Sequence, residues 1–392
     1  MMTQLREKKV VLLVDDEAAN IQIVNSILKD EYKIRVATNG AKAMELVSVT
    51  PAPDLILLDV VMPGMDGYEV CTRLKTSPET RDIPIVFLTG QTETTDETKG
   101  FELGAVDYIH KPFSPAVVQA RVHTHLTLRG IRQKLAQQLD TIREELETAR
   151  KIQSSILPHQ VPVIQDLEIA ARYVPMSQVG GDFYDFIVLD DKRLGILVAD
   201  VSGHGMPAAL IASMLKIALA AQTNWAADPA KVLTGLNQSL CGKFHDHYIT
   251  AAYVYLDLEK RTMSYAGAGH PPILMCDGAT GSVRELEENG LFLSWMTDAT
   301  YSSKEVSLGP GDWLVLYSDG ITEMQAPNGE EFGRDRFRQF IEANSFLSPE
   351  EFATRLLDEV QTWSGHSREE EPDDDVTLVA AHVKDLEIMV VT

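Results

Sequence analysis

Carboxylates punctuate the second half of this chain at the ends of apolar runs, and no ordinary core can absorb them. They lie in Gly180-Gly181-Asp182-Phe183-Tyr184-Asp185, in Ala199-Asp200-Val201-Ser202-Gly203-His204-Gly205, in Tyr317-Ser318-Asp319-Gly320 and in Asp374-Asp375-Val376-Thr377-Leu378. Each adjoins a β-rich stretch such as 194–199, 313–317 or 376–381, so a sheet can bring the groups to one rim. Two carboxylates about 4 Å apart repel by roughly 4 kcal/mol at an effective dielectric of about 20, a sizeable fraction of a domain's net stability. Bound divalent cations reverse that sign. Oxygen-only ligands select Mg²⁺ or Mn²⁺ over Zn²⁺, which wants His or Cys at close spacing. Two such ions lower the pKa of a bridging water and polarise a phosphoryl oxygen, so the expected chemistry is metal-assisted phosphate-ester hydrolysis.

The four motifs, with Gly267-Ala268-Gly269-His270-Pro271-Pro272 between the second and third, follow in order over residues 172–382. As a set they resemble the metal-dependent PPM (PP2C-like) serine/threonine phosphatases of the bacterial SpoIIE/RsbU branch, whereas a lone Asp-Gly or Asp-Asp pair is usually a turn. The resemblance implies an α/β-sandwich domain in which Asp182, Asp200, Asp319 and Asp374 are side-chain metal ligands and the Val201 carbonyl is a further one. It places Asp374 rather than Asp375 at the ligand position and implies metal-bound water as the nucleophile. His204 resembles the leaving-group acid of related phosphatases. His270, before two prolines in a tight turn, reads as structural. Gly203 and Gly205 permit the positive φ that a turn around a metal needs. Relatives usually show Gly-x-Pro-Leu-Gly where this chain has Gly290-Leu291-Phe292-Leu293-Ser294-Trp295, a divergence that bears on substrate identity more than on metal binding.

The first third carries an independent signal. Apolar runs at 10–14, 55–58 and 85–88 end in Asp15-Asp16, Asp59 and Thr89, and Tyr108-Ile109-His110-Lys111-Pro112 follows. Short runs buried on both faces and separated by helical segments predict a doubly wound parallel sheet, with its site at the carboxyl ends of the strands. That set resembles a flavodoxin-like two-component receiver domain over 9–126. The resemblance implies phosphorylation at Asp59, a Mg²⁺ held by Asp15, Asp16, Asp59 and the Val60 carbonyl, and contacts from Thr89 and Lys111 to the phosphoryl oxygens. Tyr108 stands where receivers carry an aromatic that swings inward on activation, and Lys111-Pro112 is expected to be cis.

Length and charge agree with this division. A chain of 392 residues, 44% of them apolar, has room for two full cores. The boundaries expected are 1–126 for the receiver, 127–158 for a helical coiled-coil linker and 159–387 for the phosphatase domain. Cys71, Cys241 and Cys276 make no Cys-x-x-Cys pair, so neither a disulfide framework nor a zinc site is indicated and a reducing cytoplasm fits. No run approaches the roughly 18 apolar residues that span a bilayer, so no membrane partner is expected. A net charge of −23 argues against nucleic acid, whose phosphates need clustered Lys or Arg. The run Glu369-Glu370-Glu371 reads as a solvated acidic loop.

Between the domains, residues 126–157 contain no proline and only one glycine, Gly130. Alternating steps of four and three give Leu128, Arg132, Leu135, Leu139, Ile142, Leu146, Ala149, Gln153 and Ile156, a mostly apolar seam that predicts a dimeric coiled coil rather than a single surface helix. Residues 149–158 also resemble the helix that precedes the catalytic domain in this phosphatase family and relays signals to it. The combined reading is a response regulator whose output is a protein phosphatase. The resemblance implies a sensor histidine kinase as phosphoryl donor, a phosphorylated STAS-domain anti-anti-sigma protein as substrate and a sigma factor as the final target. The rival is an RssB-like adaptor that uses a phosphatase-like fold to deliver a sigma factor to a protease. All the metal acids are present here, which favours the enzyme.

Overall fold

The computed structural model describes residues 8–90, 94–244, 246–365 and 372–384, with the side chains of 94–97 not described. The Glu369–371 run and the expected outer limits, residue 1 of the receiver and residue 387 of the phosphatase domain, therefore lie outside the described residues. The chain divides into two compact units, 1–142 and 143–392.

The first unit alternates strand and helix: β1 (Val10–Val14), α1 (Ala18–Leu28), β2 (Lys33–Ala37), α2 (Gly40–Val47), β3 (Leu55–Asp59), α3 (Gly67–Thr76), β4 (Ile85–Thr89), α4 (Thr94–Glu102), β5 (Asp107–His110) and the start of α5 (Pro115–Ile156). The sheet order is β2-β1-β3-β4-β5, all parallel. Strands β1, β3 and β4 are buried along their whole length, which is why they read as continuous apolar runs. Alternate residues feed two cores, Leu12, Ile56 and Phe87 on one face and Leu13, Leu57 and Leu88 on the other. Asp15, Asp59 and Thr89 thus emerge together at the carboxyl edge. The Lys111-Pro112 peptide is cis, as expected, and so is Thr50-Pro51. Helix α5 begins at Pro115 and runs through 126–127 without a break, so the linker helix continues the receiver's last helix.

The second unit comprises β6 (Leu167–Val174), β7 (Phe183–Val188), β8 (Arg193–Val201), α6 (Met206–Ala220), α7 (Pro229–Leu240), β9 (Ile249–Asp257), β10 (Thr262–Ala268), β11 (Ile273–Cys276), β12 (Val283–Leu286), β13 (Asn289–Gly290), β14 (Lys304–Ser307), β15 (Trp313–Tyr317), α8 (Gly333–Asn344), α9 (Pro349–Ser364) and β16 (Val376–Val383). One sheet has the order β13-β10-β9-β8-β7, with β14 on β10, and the other β12-β11-β15-β16-β6. Ile196, Val198 and Val254 of the first sheet pack on Leu314, Leu316 and Val379 of the second, forming the sandwich core. Outer faces are covered by α6 and α7 on one side and by α8 and α9 on the other. Period-two alternation decides which residue faces where. Ala199 and Val201 point to the helical layer, so Asp200 between them projects to the inter-sheet side.

Candidate functional site

In the receiver unit the expected residues converge. Asp15 is fully buried, with one carboxylate oxygen accepting from the Glu17 backbone N–H at 2.8 Å and from Asn20 Nδ2 at 3.1 Å. Its other oxygen lies 3.0 Å from Lys111 Nζ, which also reaches Asp59 at 2.8 Å. Carboxylate oxygens of Asp15, Asp16 and Asp59 lie within 4.8 Å of one another. Burial raises the pKa of Asp59, and Asp15 adds to it, while the bond from Lys111 pulls it down. Three oxygens this close with one lysine fit a hard divalent cation. The Val60 carbonyl accepts the Gly67 N–H at 3.0 Å, which leaves its second lone pair for another partner. Tyr108 is buried, with its ring 5.4 Å from Phe87 and 5.2 Å from Phe101.

In the second unit, Asp182 precedes β7, Asp200 lies near the end of β8, Asp319 follows β15 and Asp374 precedes β16. Antiparallel pairing puts these ends at one rim: Phe183 pairs with Ala199, and Tyr317 with Leu378. Among the described residues only the receiver trio gathers ligand atoms within 4.8 Å. The rim acids stand further apart, yet their fields overlap. Asp182 is buried with its Oδ2 unpartnered, and burial, then Asp200, holds its pKa well above the carboxylate range against the pull of the Ser318 and Thr377 hydroxyls. Asp200 is pushed up to about 8 by burial, then by Asp319, Asp374, Asp375 and Glu323. Asp319 and Asp374 are raised as well, chiefly by burial. A buried orphan oxygen among mutually repelling carboxylates fits the hard cations that the acid pattern predicts. Gly181 lies so close to the Val201 carbonyl that an added Cβ would come within 2.7 Å, and Gly203 and Gly205 have φ of 88° and 75°.

Asp374 and Asp375 divide their labour. Asp375 is buried and spends both oxygens on backbone N–H groups, those of Met176 at 2.7 Å and of Gly181 at 2.5 Å. Asp374 is exposed and accepts only its neighbour's N–H, that of Asp375 at 2.8 Å on Oδ1, so it is the less committed member of the pair. His204 is exposed, and its charge lowers the pKa of Asp374 slightly. His270 is buried and bonds the Thr250 hydroxyl at 2.8 Å through Nδ1; burial lowers its pKa to about 4, against a hydrogen bond with the Tyr317 backbone that raises it.

The Stage II sporulation protein E (SpoIIE) family pattern matches residues 190–384, and the response regulator receiver pattern matches 11–123. Over 264 residues the chain is 33% identical to phosphoserine phosphatase RsbU of Bacillus subtilis (strain 168), an alignment covering 66% of this chain and 74% of RsbU. The chain belongs to the SpoIIE family. Another member similar to it is phosphoserine phosphatase RsbP of the same organism, 33% identical over 47% of this chain and 46% of RsbP, so the chain spans less than half of that relative. The solved SiaA-PP2C domain of Pseudomonas aeruginosa superposes with a TM-score of 0.56 at 26% identity, covering 62% of this chain and 98% of the domain. This SpoIIE-family chain therefore joins a receiver domain, which implies phosphorylation by a kinase, to a PP2C-type serine/threonine phosphatase domain, as the ordered motifs imply. Phosphatases of this type are metal-dependent.

Several residues at the SpoIIE-family rim escaped sequence reasoning. Gln153 near the end of α5 is buried, with its Nε2 donating to the Gly180 carbonyl at 2.6 Å and its Oε1 accepting from the Gly180 N–H at 3.1 Å. Glu323, four residues after Asp319, is raised by burial and then by Asp319. Lys216 pairs with Asp185 at 2.7 Å. Glu323 carried a weak signal, three residues after the Tyr317-Ser318-Asp319-Gly320 motif, and Gln153 one through the 149–158 segment. Among the described residues no helix is long and apolar enough to cross a membrane.

Proposed function

We propose that this chain is a response regulator in which phosphorylation of Asp59 by a sensor histidine kinase controls a metal-dependent phosphatase acting on a phosphorylated STAS-domain anti-anti-sigma protein, and through it on a sigma factor. On this reading the receiver occupies 1–126, the linker 127–158 and the phosphatase domain 159–387, in a cytoplasmic protein. The observation that carries it is the meeting of Asp182, Asp200, Asp319 and Asp374 at one strand-end rim, where desolvation raises all four and Asp200 is raised further by Asp319 and Asp374. These side chains, with the Val201 carbonyl, would hold Mn²⁺ or Mg²⁺, and such ions supply an activated water and polarise the phosphoryl oxygens. Asp375 fixes the backbone of Gly181 and so the approach of Asp182 to the rim. His204, exposed two residues beyond Ser202, would give a proton to the departing serine oxygen. In the receiver, Asp15, Asp16 and Asp59 would hold Mg²⁺, while Lys111 and Thr89 would engage the phosphoryl group on Asp59.

Leu128, Leu135, Leu139 and Ile142 are exposed along α5, which supports a homodimer closing over this seam. The test is hydrolysis of p-nitrophenyl phosphate and of a phosphoserine peptide in Mn²⁺ or Mg²⁺, with and without acetyl phosphate. Turnover that requires the metal and changes with acetyl phosphate in the wild type, but not in Asp59→Ala, is the expected result. Turnover in excess EDTA, or none under any condition, would overturn the reading.

A further inference from the structure

The segment 290–296 opens an aromatic patch on the second unit. Trp295 is 63% exposed, and Leu291 and Met296 are nearly half exposed. Tyr248 and Phe292 lie beside them, with ring centroids 4.6 Å apart and Trp295 edge-on to both at 6.3 and 6.5 Å. Single exposed apolar residues are ordinary, but an exposed tryptophan joined to two half-buried rings, with exposed Leu291 and Met296 adjoining them in sequence, is not.

The loop is held open by interactions that work against hiding it. Ser294 sits in the left-handed region at φ 70°, where a non-glycine residue is strained. Its N–H donates to Asn237 Oδ1 at 2.8 Å, and Asn237 Nδ2 donates to the Met296 carbonyl at 2.7 Å from a fully buried position. Leu293 exchanges two backbone bonds with Ile249 at 2.9 and 3.2 Å. A buried amide, a strained serine and a strand bridge thus fix the backbone on both sides of Trp295 while its ring stays in water. This is a preorganised surface, and Trp and Tyr in such surfaces supply most binding energy.

Its position says what it meets. Tyr248 and Ser202 are paired through the Ser202 N–H to the Tyr248 carbonyl and the Tyr248 N–H to the Ser202 hydroxyl, both at 2.9 Å. His247 Nδ1 bonds the Ser202 carbonyl at 2.6 Å. Ser202 lies between Asp200 and His204, so these bonds tie the patch to the segment that carries the rim acid. No charged residue belongs to the cluster, on a chain of net charge −23. We propose that Trp295, Phe292, Tyr248 and Leu291 dock an apolar side chain of the phosphoprotein substrate, close in its sequence to the phosphorylated serine or threonine. The inference rests on the phosphatase reading and adds to it the chemistry that selects the substrate.

The probe is a set of phosphoserine peptides of polar sequence in which one leucine or phenylalanine is moved stepwise through the positions flanking the phosphoserine, with p-nitrophenyl phosphate measured in parallel. The full chain should prefer at least one apolar peptide over the all-polar one by about tenfold or more in kcat/KM. Trp295→Ala should bring that ratio close to unity, whereas Ile217→Ser, at an exposed apolar residue elsewhere, should leave it in place. A wild type without preference at any position, or a preference that survives Trp295→Ala, overturns the inference. So does a Trp295→Ala protein that changes only its oligomeric state in sedimentation, which would assign the patch to self-association. Absence of turnover on every substrate, p-nitrophenyl phosphate included, would overturn the phosphatase reading and the inference with it.

Discussion

Raising the pH from about 6 to about 8 in EDTA should destabilise the phosphatase domain by about 2 kcal/mol, because Asp200 then loses a proton that only the folded state holds tightly. Its pKa moves from 3.8 to about 8 on folding, through burial and then the fields of Asp319, Asp374, Asp375 and Glu323. A carboxyl raised in this way favours the folded state at low pH, and that contribution is lost as pH climbs from the unfolded value toward the folded one. Each unit inside that window is worth about 1.4 kcal/mol, and the last unit is only partly realised because half the proton remains at the folded pKa. Asp182, raised by burial and by Asp200, adds with the same sign. His270 opposes it: lowered from 6.5 to about 4 by burial, it favours folding as pH rises, by less than about 1 kcal/mol over this interval. The four tryptophans, at 225, 295, 313 and 363, all lie in the second unit, so urea denaturation of the whole chain followed by tryptophan fluorescence reports this domain alone. Asp200→Asn should remove most of the pH slope while keeping the part due to His270. Saturating Mg²⁺ or Mn²⁺ should flatten or invert the slope in the wild type, since a bound cation favours the charged carboxylates. An unchanged slope in Asp200→Asn, or a flat wild type in EDTA, would refute the electrostatic account of the rim.

Asp319→Ala should lower p-nitrophenyl phosphate turnover by more than about a hundredfold, since even residues behind metal ligands cost 10–100-fold, while circular dichroism stays native. Acetyl phosphate or beryllofluoride should alter the wild-type receiver but not Asp59→Ala, as read by a phosphate-affinity gel shift or by exchange-broadened amide resonances. Gly320→Ala should destabilise the domain by about 1–3 kcal/mol in the same urea assay, because a Cβ there would come within 2.1 Å of the Asp375 carbonyl oxygen. Leu139→Glu with Leu146→Glu should give a monomer by sedimentation, since each apolar side chain buried in a seam is worth about 1.5–3 kcal/mol; a wild type already monomeric at micromolar concentration would remove the coiled coil.

What could be read in advance depended on how local its cause is. Strands β1, β3 and β4 were legible because burial on both faces leaves an uninterrupted apolar run, whereas β2, an edge strand with Lys33 exposed and Ile34 and Arg35 only half-buried, gave no such run. The rim acids were legible because each sits in a motif next to its own strand. Asp375 as a backbone clamp was not, since its partners at Met176 and Gly181 are remote in sequence. The same holds for Gln153 on Gly180 and for Asn237 beneath Ser294: in each case an amide side chain is satisfied by the backbone of another element, and its own neighbours in sequence carry no mark of it. The helix over 126–157 was legible from its composition, but its unbroken run back to Pro115 was not, because Pro115 reads equally well as a turn or as a first helical residue.

Strand β16 lies between β15 and β6, pairing with β6 from Val376 opposite Val174 to Val383 opposite Leu167. The domain's first strand therefore waits for its last before it gains a neighbour in the sheet. During synthesis the receiver, whose strands pair by the time β5 has emerged, can close while the phosphatase sheets are still incomplete. Asp374 and the Asp375 clamp arrive only with that final strand. A nascent chain thus acquires its input before its output, and a ribosome that stalls anywhere short of β16 leaves a switch with nothing to turn on.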